Sequence, residues 1–211
     1  MNVATPRQPS VLGLDIGLET VADAVLWAAE VLAKTGIDTS RLDAQVLLAH
    51  ALDVTRETVF GYPERVLTGP QRDAFVALID RRSLRQPLAQ IVGRREFWGR
   101  DFRVTPDTLT PRPDSETLIS AVLDRLPPAP GMVPIRILDL GTGTGCLVLT
   151  LVAELTNARG IGVDASDAAL EVARLNGRDL GLEGRVQFVR SDWCAAIPND
   201  GGPSDQRFDV V

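Results

Sequence analysis

The chain has 211 residues, of which 45% are apolar and 24% are charged, with a formal net charge of −6 and an isoelectric point near 4.9. This composition is typical of a globular protein of one or two domains. The acidic balance argues against broad binding to a nucleic-acid backbone. No apolar run approaches the roughly 18 to 20 residues of a membrane span, and the N-terminal residues do not resemble a secretory signal.

Cysteine and histidine are scarce. Cys146 and Cys194 lie far apart in the sequence and predict no ligand pair, which favours a reducing, cytoplasmic setting. His50 is the only histidine, and its amphipathic surroundings favour a structural role over catalysis. Because histidine-based metal sites usually need two or more such residues, we expect no metal.

Residues 17–85 predict a helical domain, preceded by a disordered tail at 1–16. Thr20 is a predicted cap for a first helix, whose apolar residues recur at helical spacing. A second helix is predicted from about residue 40 to residue 52. A third begins near Pro70, since proline suits the first helical position. Their apolar faces favour a small bundle.

Residues 86–107 differ in composition, because aromatic and β-branched residues mix there with glycines. This pattern predicts a β-hairpin linker. The overlapping stretch 81–103 contains seven arginines and two acidic residues. Two interpretations stay open for these arginines: a solvated hairpin, or a patch for weak contact with an anionic partner such as RNA.

From residue 108 onward, helical and strand patterns alternate. Strands are predicted at 134–139, 160–164 and 185–190, and helices at 115–126, 145–157 and 166–178. This order predicts a parallel, doubly wound sheet. The final residues, Phe208 to Val211, look like the opening of a fourth strand, which would pair beside the first.

The end of the first predicted strand has the strongest functional motif. The strand ends at Asp139, and glycines at 141, 143 and 145 predict a tight turn that opens a helix. A dinucleotide fingerprint is G-x-G-x-x-G, which places pyrophosphate at the helix N-terminus. Here the spacing is G-x-G-x-G after an acid, which better suits a positively charged amino-acid group. A nicotinamide oxidoreductase is therefore disfavoured.

The next two strand ends complete the pattern. Asp164 is placed to accept hydrogen bonds from ribose hydroxyls, and Ser191, Asp192 and Trp193 are placed to bracket an adenine. Taken singly, each residue has an alternative role: Asp164 as the cap of the following helix, and Trp193 as a core residue. Together, the three strand ends favour S-adenosylmethionine as cofactor. The candidate cofactor residues are Asp139, Gly141, Thr142, Gly143, Thr144, Gly145, Asp164, Asp192 and Trp193.

Several further motifs are more specific than the glycine loop. They are Arg41-Leu42-Asp43-Ala44, Pro87-Leu88-Ala89-Gln90-Ile91-Val92-Gly93, Glu96-Phe97-Trp98-Gly99 and Thr110-Pro111-Arg112-Pro113-Asp114-Ser115-Glu116. With these motifs, the chain resembles the HemK/PrmC-type protein-glutamine methyltransferases over nearly its whole length. In the last motif, Asp and Ser stand where that family has Glu and Thr.

The resemblance implies a fold and an enzymatic function. It implies an α/β chain with an N-terminal helical bundle that docks release factors, a β-hairpin linker, and an incomplete Rossmann-like class I methyltransferase domain at 108–211. It also implies methyl transfer from S-adenosylmethionine to the glutamine amide nitrogen in the Gly-Gly-Gln motif of peptide-chain release factors. Alternatives are an adenine-N methyltransferase acting on nucleic acid, and an inactive, truncated binding module.

The resemblance also places a segment near the cofactor, formed by Pro111, Arg112, Pro113 and Glu116. From the residues themselves, we expect Arg112 to pair with Glu116 rather than with a ligand. The family's acceptor motif, Asn-Pro-Pro-Tyr, would begin about two residues after Val211 and does not occur in the sequence. No catalytic residue is therefore assigned. We expect the chain to be C-terminally truncated, marginally folded alone and inactive, with an exposed strand edge.

Overall fold

The structure is a computed structural model that describes residues 18–126, 135–197 and 208–211. The predicted tail at 1–16 lies outside these ranges. The helices are α1 (Val21–Lys34), α2 (Ser40–Leu52), α3 (Arg56–Gly61), α4 (Gly69–Ser83), α5 (Leu88–Val92), α6 (Glu116–Arg125), α7 (Cys146–Glu154) and α8 (Asp167–Asp179). The strands are β1 (Arg94–Phe97), β2 (Arg100–Arg103), β3 (Arg136–Leu140), β4 (Arg159–Asp164) and β5 (Val186–Arg190).

The chain divides into two compact units between Val92 and Gly93. The domain limits expected from the sequence, at 85/86 and 107/108, stay predictions. Within the described ranges, no helix is long and apolar enough to cross a membrane. The same ranges contain no cluster of three or more histidine, cysteine or acidic residues that could hold a metal ion.

The first unit is a bundle of short helices. Thr20 caps α1 as predicted, because its hydroxyl accepts a hydrogen bond from Asp23 N–H and the Asp23 carboxylate accepts from Thr20 N–H. The helices α2 and α4 are the other two predicted helices. The short helix α3, capped by Thr55, was not predicted. The buried face of α1 comprises Val21, Ala24, Val25, Ala28 and Leu32.

A buried ion pair joins α2 to α4. Arg82 Nε lies 2.7 Å from Asp43 Oδ2, and the Asp43 side chain is only 4% exposed. The other carboxylate oxygen of Asp43 accepts a hydrogen bond from the Thr39 hydroxyl at 2.9 Å. Both oxygens therefore have partners, as a buried carboxylate requires. His50 is exposed in the last turn of α2, where a basic side chain suits the helix dipole.

The second unit begins with the hairpin of β1 and β2, which is shorter than predicted. The strands pair antiparallel with Arg94 opposite Arg103, whereas residues 88–92 of the expected hairpin segment form α5. Trp98 and Gly99 at the turn have φ values of 53° and 69°. Positive φ at both central residues is what a two-residue type I′ turn requires.

The strands β3, β4 and β5 form the predicted parallel sheet, in that order. Asp139 lies opposite Gly162 in the β3–β4 register, and Asp164 lies opposite Arg190 in the β4–β5 register. Val210 forms a parallel bridge with Ile137 on the other side of β3. The final residues thus begin to pair beside the first strand, as expected. The edge of that strand, predicted to be exposed, is therefore partly paired.

The face of the sheet beside β3 opens into an apolar groove of about 530 Å³. Its walls come from α6, α7 and the segment at 208–211. The apolar lining residues are Leu118, Ile119, Ala121, Val122, Leu126, Ile137, Leu138, Leu147, Val148, Leu151, Val210 and Val211.

A single guanidinium completes the C-terminal end of α7. Arg185 precedes β5 and donates hydrogen bonds to the carbonyl oxygens of Val152, Leu155 and Ala158, at 2.5 to 3.2 Å. The last carbonyls of a helix have no partner within the helix, so they need donors from elsewhere. Arg185 supplies those donors and fixes α7 against the chain that leads into β5.

Candidate ligand site at the carboxyl edge of the sheet

The glycine loop between β3 and α7 has the conformation that its sequence predicts. Gly141, Gly143 and Gly145 have φ values of 74°, 54° and 79°, a region that favours glycine. The N–H groups of Gly141 and Thr142 both donate to Val163 O, at 2.9 and 2.8 Å. The loop is thereby fixed to the end of β4.

The three glycines serve different purposes. A Cβ on Gly145 would lie 3.0 to 3.3 Å from Leu149, Phe188 and Ala173, so this glycine allows close packing behind the loop. A Cβ on Gly141 would meet no atom within 4 Å, and one on Gly143 would meet only Gly141 O, at 4.0 Å. Open space therefore lies in front of the loop, where a ligand can approach the backbone.

Asp139 lies at the base of the loop. Its Oδ2 accepts a hydrogen bond from the Thr142 hydroxyl at 2.7 Å. Burial raises the pKa of Asp139, the hydrogen bond from Thr142 opposes this rise, and the charge of Asp164 adds to it. Among the described residues, no ion pair involves Asp139. When ionised, this carboxylate therefore favours a cationic ligand group such as an ammonium.

Asp164 joins the end of β4 to the loop and to α8. Its Oδ2 accepts from Gly143 N–H at 3.0 Å, and its Oδ1 accepts from Ser166 N–H at 2.9 Å. A carboxylate has about four lone-pair positions, so roughly half of its accepting capacity stays available for ligand hydroxyls. The cap of α8 is Ser166, whose hydroxyl accepts from Ala169 N–H. Asp164 is therefore not the helix cap that the sequence left open as an alternative.

The end of β5 presents an exposed aromatic ring. Ser191 is buried, and its hydroxyl accepts a hydrogen bond from Ala196 N–H at 3.0 Å. Asp192 and Trp193 are exposed, and 73% of Trp193 is accessible. The alternative of a core role for Trp193 is therefore wrong. An exposed indole at this edge is available to stack on a planar ligand.

The segment from Pro111 to Glu116 does not form the expected ion pair. In the described part of the chain, no ion pair joins Arg112 to Glu116. Glu116 Oε1 instead accepts from Trp98 N–H at 3.0 Å and so holds the hairpin turn. Pro111 is buried, whereas Arg112 and Pro113 are exposed. The Arg112 backbone is extended, as a following proline requires.

Two residues that support the loop were not predicted from the sequence. Gly162 lies beside Asp139, and a Cβ there would lie 2.7 Å from Thr142 Oγ1. Asn176 is fully buried on α8 and bonds to the loop carbonyl of Thr144. Signals for both exist in the sequence. Glycine inside a strand marks a close approach, and an asparagine on the apolar face of a helix marks a buried hydrogen bond.

Two family models match the chain: a PrmC N-terminal domain over residues 23–93 and a methyltransferase domain over residues 134–211. The release factor glutamine methyltransferase of Cereibacter sphaeroides is 46% identical over 177 residues, which cover 84% of this chain and 61% of that protein. The enzyme of the same name from Rhodospirillum rubrum is 41% identical over 188 residues, which cover 89% of this chain and 55% of that protein.

A solved structure also aligns with part of the chain. It is a SAM-dependent methyltransferase from Geobacter sulfurreducens in complex with S-adenosyl-L-homocysteine, with 29% identity and a TM-score of 0.34. The alignment covers 42% of this chain and 33% of the other. This likeness is too partial to define the site.

The parallel sheet, the glycine loop and the matched domain define the second unit as a Rossmann-like methyltransferase domain. A PrmC N-terminal domain therefore precedes this methyltransferase domain, and over most of its length the chain is similar to curated release factor glutamine methyltransferases. The alignments with the two relatives described above span 61% and 55% of those proteins' own length.

Proposed function

We propose that this protein is an S-adenosylmethionine-dependent methyltransferase that modifies the glutamine amide nitrogen in the Gly-Gly-Gln motif of peptide-chain release factors. One observation supports this above all others. A PrmC N-terminal domain precedes a glycine loop that is anchored at Asp139 and Asp164 in the same chain. The curated relatives bear the name of this activity.

The residues present fit the cofactor. The open space before Gly141 and Gly143 would hold the methionine part, and Asp139 would pair with its ammonium group. Asp164 would accept hydrogen bonds from the ribose hydroxyls, and Trp193, with Asp192 beside it, would border the adenine. Thr142, Thr144 and Gly145 shape the loop from behind. When bound, the cofactor supplies a methyl group on a sulfonium, which is strongly electrophilic.

The acceptor is a poor nucleophile, because the lone pair of an amide nitrogen is delocalised into its carbonyl. Transfer therefore depends on holding the nitrogen in line with the methyl group. In this sequence, we assign residues to cofactor binding and to partner docking, and none to catalysis. Burial raises the pKa of the Cys146 thiol to about 11. That thiol is neutral at pH 7 and is no candidate nucleophile.

We assign release-factor docking to the helical unit. Its exposed apolar side chains support this role, since a free surface of this kind is typical of interaction sites. The most exposed are Leu26, Phe60, Tyr62, Val66 and Leu84, which are 57 to 81% accessible. We propose a cytoplasmic location, because Cys146 and Cys194 are both free thiols.

The arginines of residues 81–103 support a protein partner rather than RNA. Most of them bond within the protein and so do not form a free basic patch. Arg82 pairs with Asp43, Arg100 with Glu154 and Arg103 with Asp179, at 2.7 to 2.8 Å. Arg85 donates to the Thr35 carbonyl at 2.8 Å. We therefore propose no direct contact with nucleic acid.

Cofactor binding is tested by isothermal titration of the chain with S-adenosylhomocysteine and, separately, with NAD. We expect binding of the first and none of the second. Binding of NAD alone would overturn the proposed cofactor. Trp193→Phe in parallel fluorescence titrations identifies the reporting indole, because the chain has three tryptophans.

The acceptor is tested by incubating the chain with methyl-labelled S-adenosylmethionine and a release factor. The control is the same release factor with Gln→Ala in its Gly-Gly-Gln motif. The proposed acceptor predicts label in the natural release factor only, whereas the inactivity expected from the missing acceptor motif predicts no label in either. Equal label in both would exclude that glutamine, and absence of label despite cofactor binding would contradict transfer by this chain.

A further inference from the structure

Asn176 forms hydrogen bonds with two separate segments of the methyltransferase unit. Its side chain is fully buried on α8. Its Oδ1 accepts from Arg103 N–H at 2.7 Å, at the end of hairpin strand β2. Its Nδ2 donates to Arg103 O at 3.2 Å and to Thr144 O, in the glycine loop, at 2.9 Å. The Asn176 amide therefore connects the hairpin backbone to the loop.

The position of the Thr144 carbonyl matters for the loop. Thr144 is itself only 2% exposed, and the next residue, Gly145, has a φ of 79° and is the N-cap of α7. Fixing this carbonyl fixes the peptide plane between the two residues. That plane sets the direction in which the loop leaves Gly143 and enters the helix. Without the Asn176 amide, a buried carbonyl would lose its partner.

We infer that Asn176 is a positioning residue of the cofactor site. Its side-chain amide holds the Thr144 carbonyl of the glycine loop at a fixed position relative to the hairpin strand β2. The inference rests on the proposed function, since the loop is the proposed cofactor subsite. Asn176 does not contact the ligand space. It acts on the loop through the Thr144 carbonyl, and its hydrogen bonds to the β2 backbone hold its side chain in place.

A side chain that only stabilises the core would change the free energy of unfolding and leave the affinity of the folded protein unchanged. A positioning residue changes that affinity as well. The hairpin contact offers a matched control, because Asn176 bonds to the backbone of Arg103 and not to its side chain. Arg103→Ala removes the ion pair with Asp179 and retains every hydrogen bond of Asn176.

The experiment measures the dissociation constant for S-adenosylhomocysteine by isothermal titration, below the melting temperature of each variant. We expect Asn176→Ala to weaken binding about tenfold, the equivalent of about 1.4 kcal/mol. We expect Arg103→Ala to remain within about twofold of the wild type, the equivalent of about 0.4 kcal/mol. Thermal melting of the same samples reports stability separately.

The Asn176→Asp variant adds a second measurement, the pH dependence of the affinity, which a purely structural role would leave unchanged. An ionised carboxylate cannot donate to the Thr144 carbonyl, whereas a protonated one donates a single hydrogen bond. Relative to the wild type at each pH, we expect the affinity of this variant to be lowest at about pH 8 and to recover towards about pH 5.5, because burial raises a carboxyl pKa.

Each outcome has a distinct meaning. If the wild type binds and Asn176→Ala folds with unchanged affinity, the inference is wrong and the proposed function stands. If the wild type does not bind S-adenosylhomocysteine, the cofactor site and the inference fail together. If neither Asn176 variant folds at any pH, Asn176 is a core residue, and the positioning role is rejected.

Discussion

The Asp164 carboxylate accepts a hydrogen bond from the backbone N–H of Gly143, 21 residues earlier in the chain, at 3.0 Å. The end of β4 therefore holds the glycine loop that follows β3. A second bond, from Ser166 N–H, joins the same carboxylate to the start of α8. The proposed ribose contact and the loop proposed to hold the methionine part are thus connected by hydrogen bonds.

Replacing Asp164 should weaken both the loop and the proposed ribose contact. We expect Asp164→Ala to lower the free energy of unfolding by about 1 to 3 kcal/mol, because two backbone donors lose their partner. We also expect at least a tenfold weaker affinity for S-adenosylhomocysteine, or about 1.4 kcal/mol. Urea denaturation and titration calorimetry measure the two effects.

The control for this change is Asp167→Ala. Asp167 lies three residues further on, pairs with Arg190 on the surface, and has a side chain that is 68% exposed. Exposed pairs of this kind contribute little stability. We expect near wild-type stability and affinity for the control. Equal affinity in both variants would count against a ribose role for Asp164.

Asp139 should show opposite effects on stability and binding. Its pKa is raised above the ordinary value in the folded protein, so folding favours the protonated form. That stabilising contribution is present at low pH and is lost as the pH rises through the raised folded pKa. At pH 7 the wild type has therefore lost stability through this group relative to low pH. We expect Asp139→Asn to melt at a higher temperature than the wild type at pH 7.

The difference in melting temperature should shrink as the pH falls below the raised pKa of Asp139, because the wild-type carboxyl is then neutral too. At pH 7, the same variant should bind S-adenosylhomocysteine at least tenfold more weakly, or by about 1.4 kcal/mol, since the ammonium loses its counter-charge. Differential scanning calorimetry across pH and isothermal titration supply the measurements. If Asp139→Asn gains stability and retains full affinity, Asp139 is not part of the cofactor site.

Gly162 should tolerate no side chain. A Cβ there would lie 2.7 Å from Thr142 Oγ1 and 2.8 Å from the Phe188 ring. Thr142 cannot move freely, because its hydroxyl bonds to Asp139. We expect Gly162→Ala to lower the free energy of unfolding by about 1 to 3 kcal/mol through overpacking, and to weaken cofactor affinity.

The matched substitution is Gly184→Ala, which places a methyl group where no atom lies within 4 Å. Its effect should be within about 0.5 kcal/mol. Chemical denaturation of both variants decides the comparison. Similar stabilities for the two would show that the backbone of β4 shifts to accept the methyl group.

The Asp43–Arg82 pair should be essential to the helical unit. Asp43→Ala leaves the Arg82 guanidinium largely buried without its partner, and breaking a buried pair costs about 3 to 5 kcal/mol. Asp38→Ala is the control, because Asp38 is exposed in the loop before α2. Urea denaturation followed by circular dichroism measures both. If Asp43→Ala lowers the free energy of unfolding by less than about 1 kcal/mol, this pair contributes no more than a surface ion pair.

Local patterns predicted much of the fold. The apolar spacing of α1, the cap at Thr20 and the alternation that gives β3, β4 and β5 depend on neighbours in the sequence, so they can be read from it. The carboxyl ends of parallel strands meet at one edge, which brought Asp139 and Asp164 together in the prediction. The short helices α3 and α5 have too little periodicity to be recognised.

Contacts between distant segments were beyond the sequence patterns. Glu116 was expected to pair with Arg112, four residues away, but it bonds to Trp98, 18 residues away. Asn176 bonds to Arg103 across 73 residues, and nothing local indicates that partner. Geometry of this kind follows only once the hairpin, the loop and α8 have been placed in space.

The hydrogen bonds from Arg185 to the end of α7 reach back 30 residues to Leu155 O and 33 residues to Val152 O. During synthesis, α7 leaves the ribosome well before the residue that completes it. Its last carbonyls are then left to water while β4 and α8 are being made. Arg185 follows both of those elements in the sequence, so the donors that complete α7 are made only after β4 and α8. We expect the last turn of α7 to become fixed late, together with β5, which begins at the next residue.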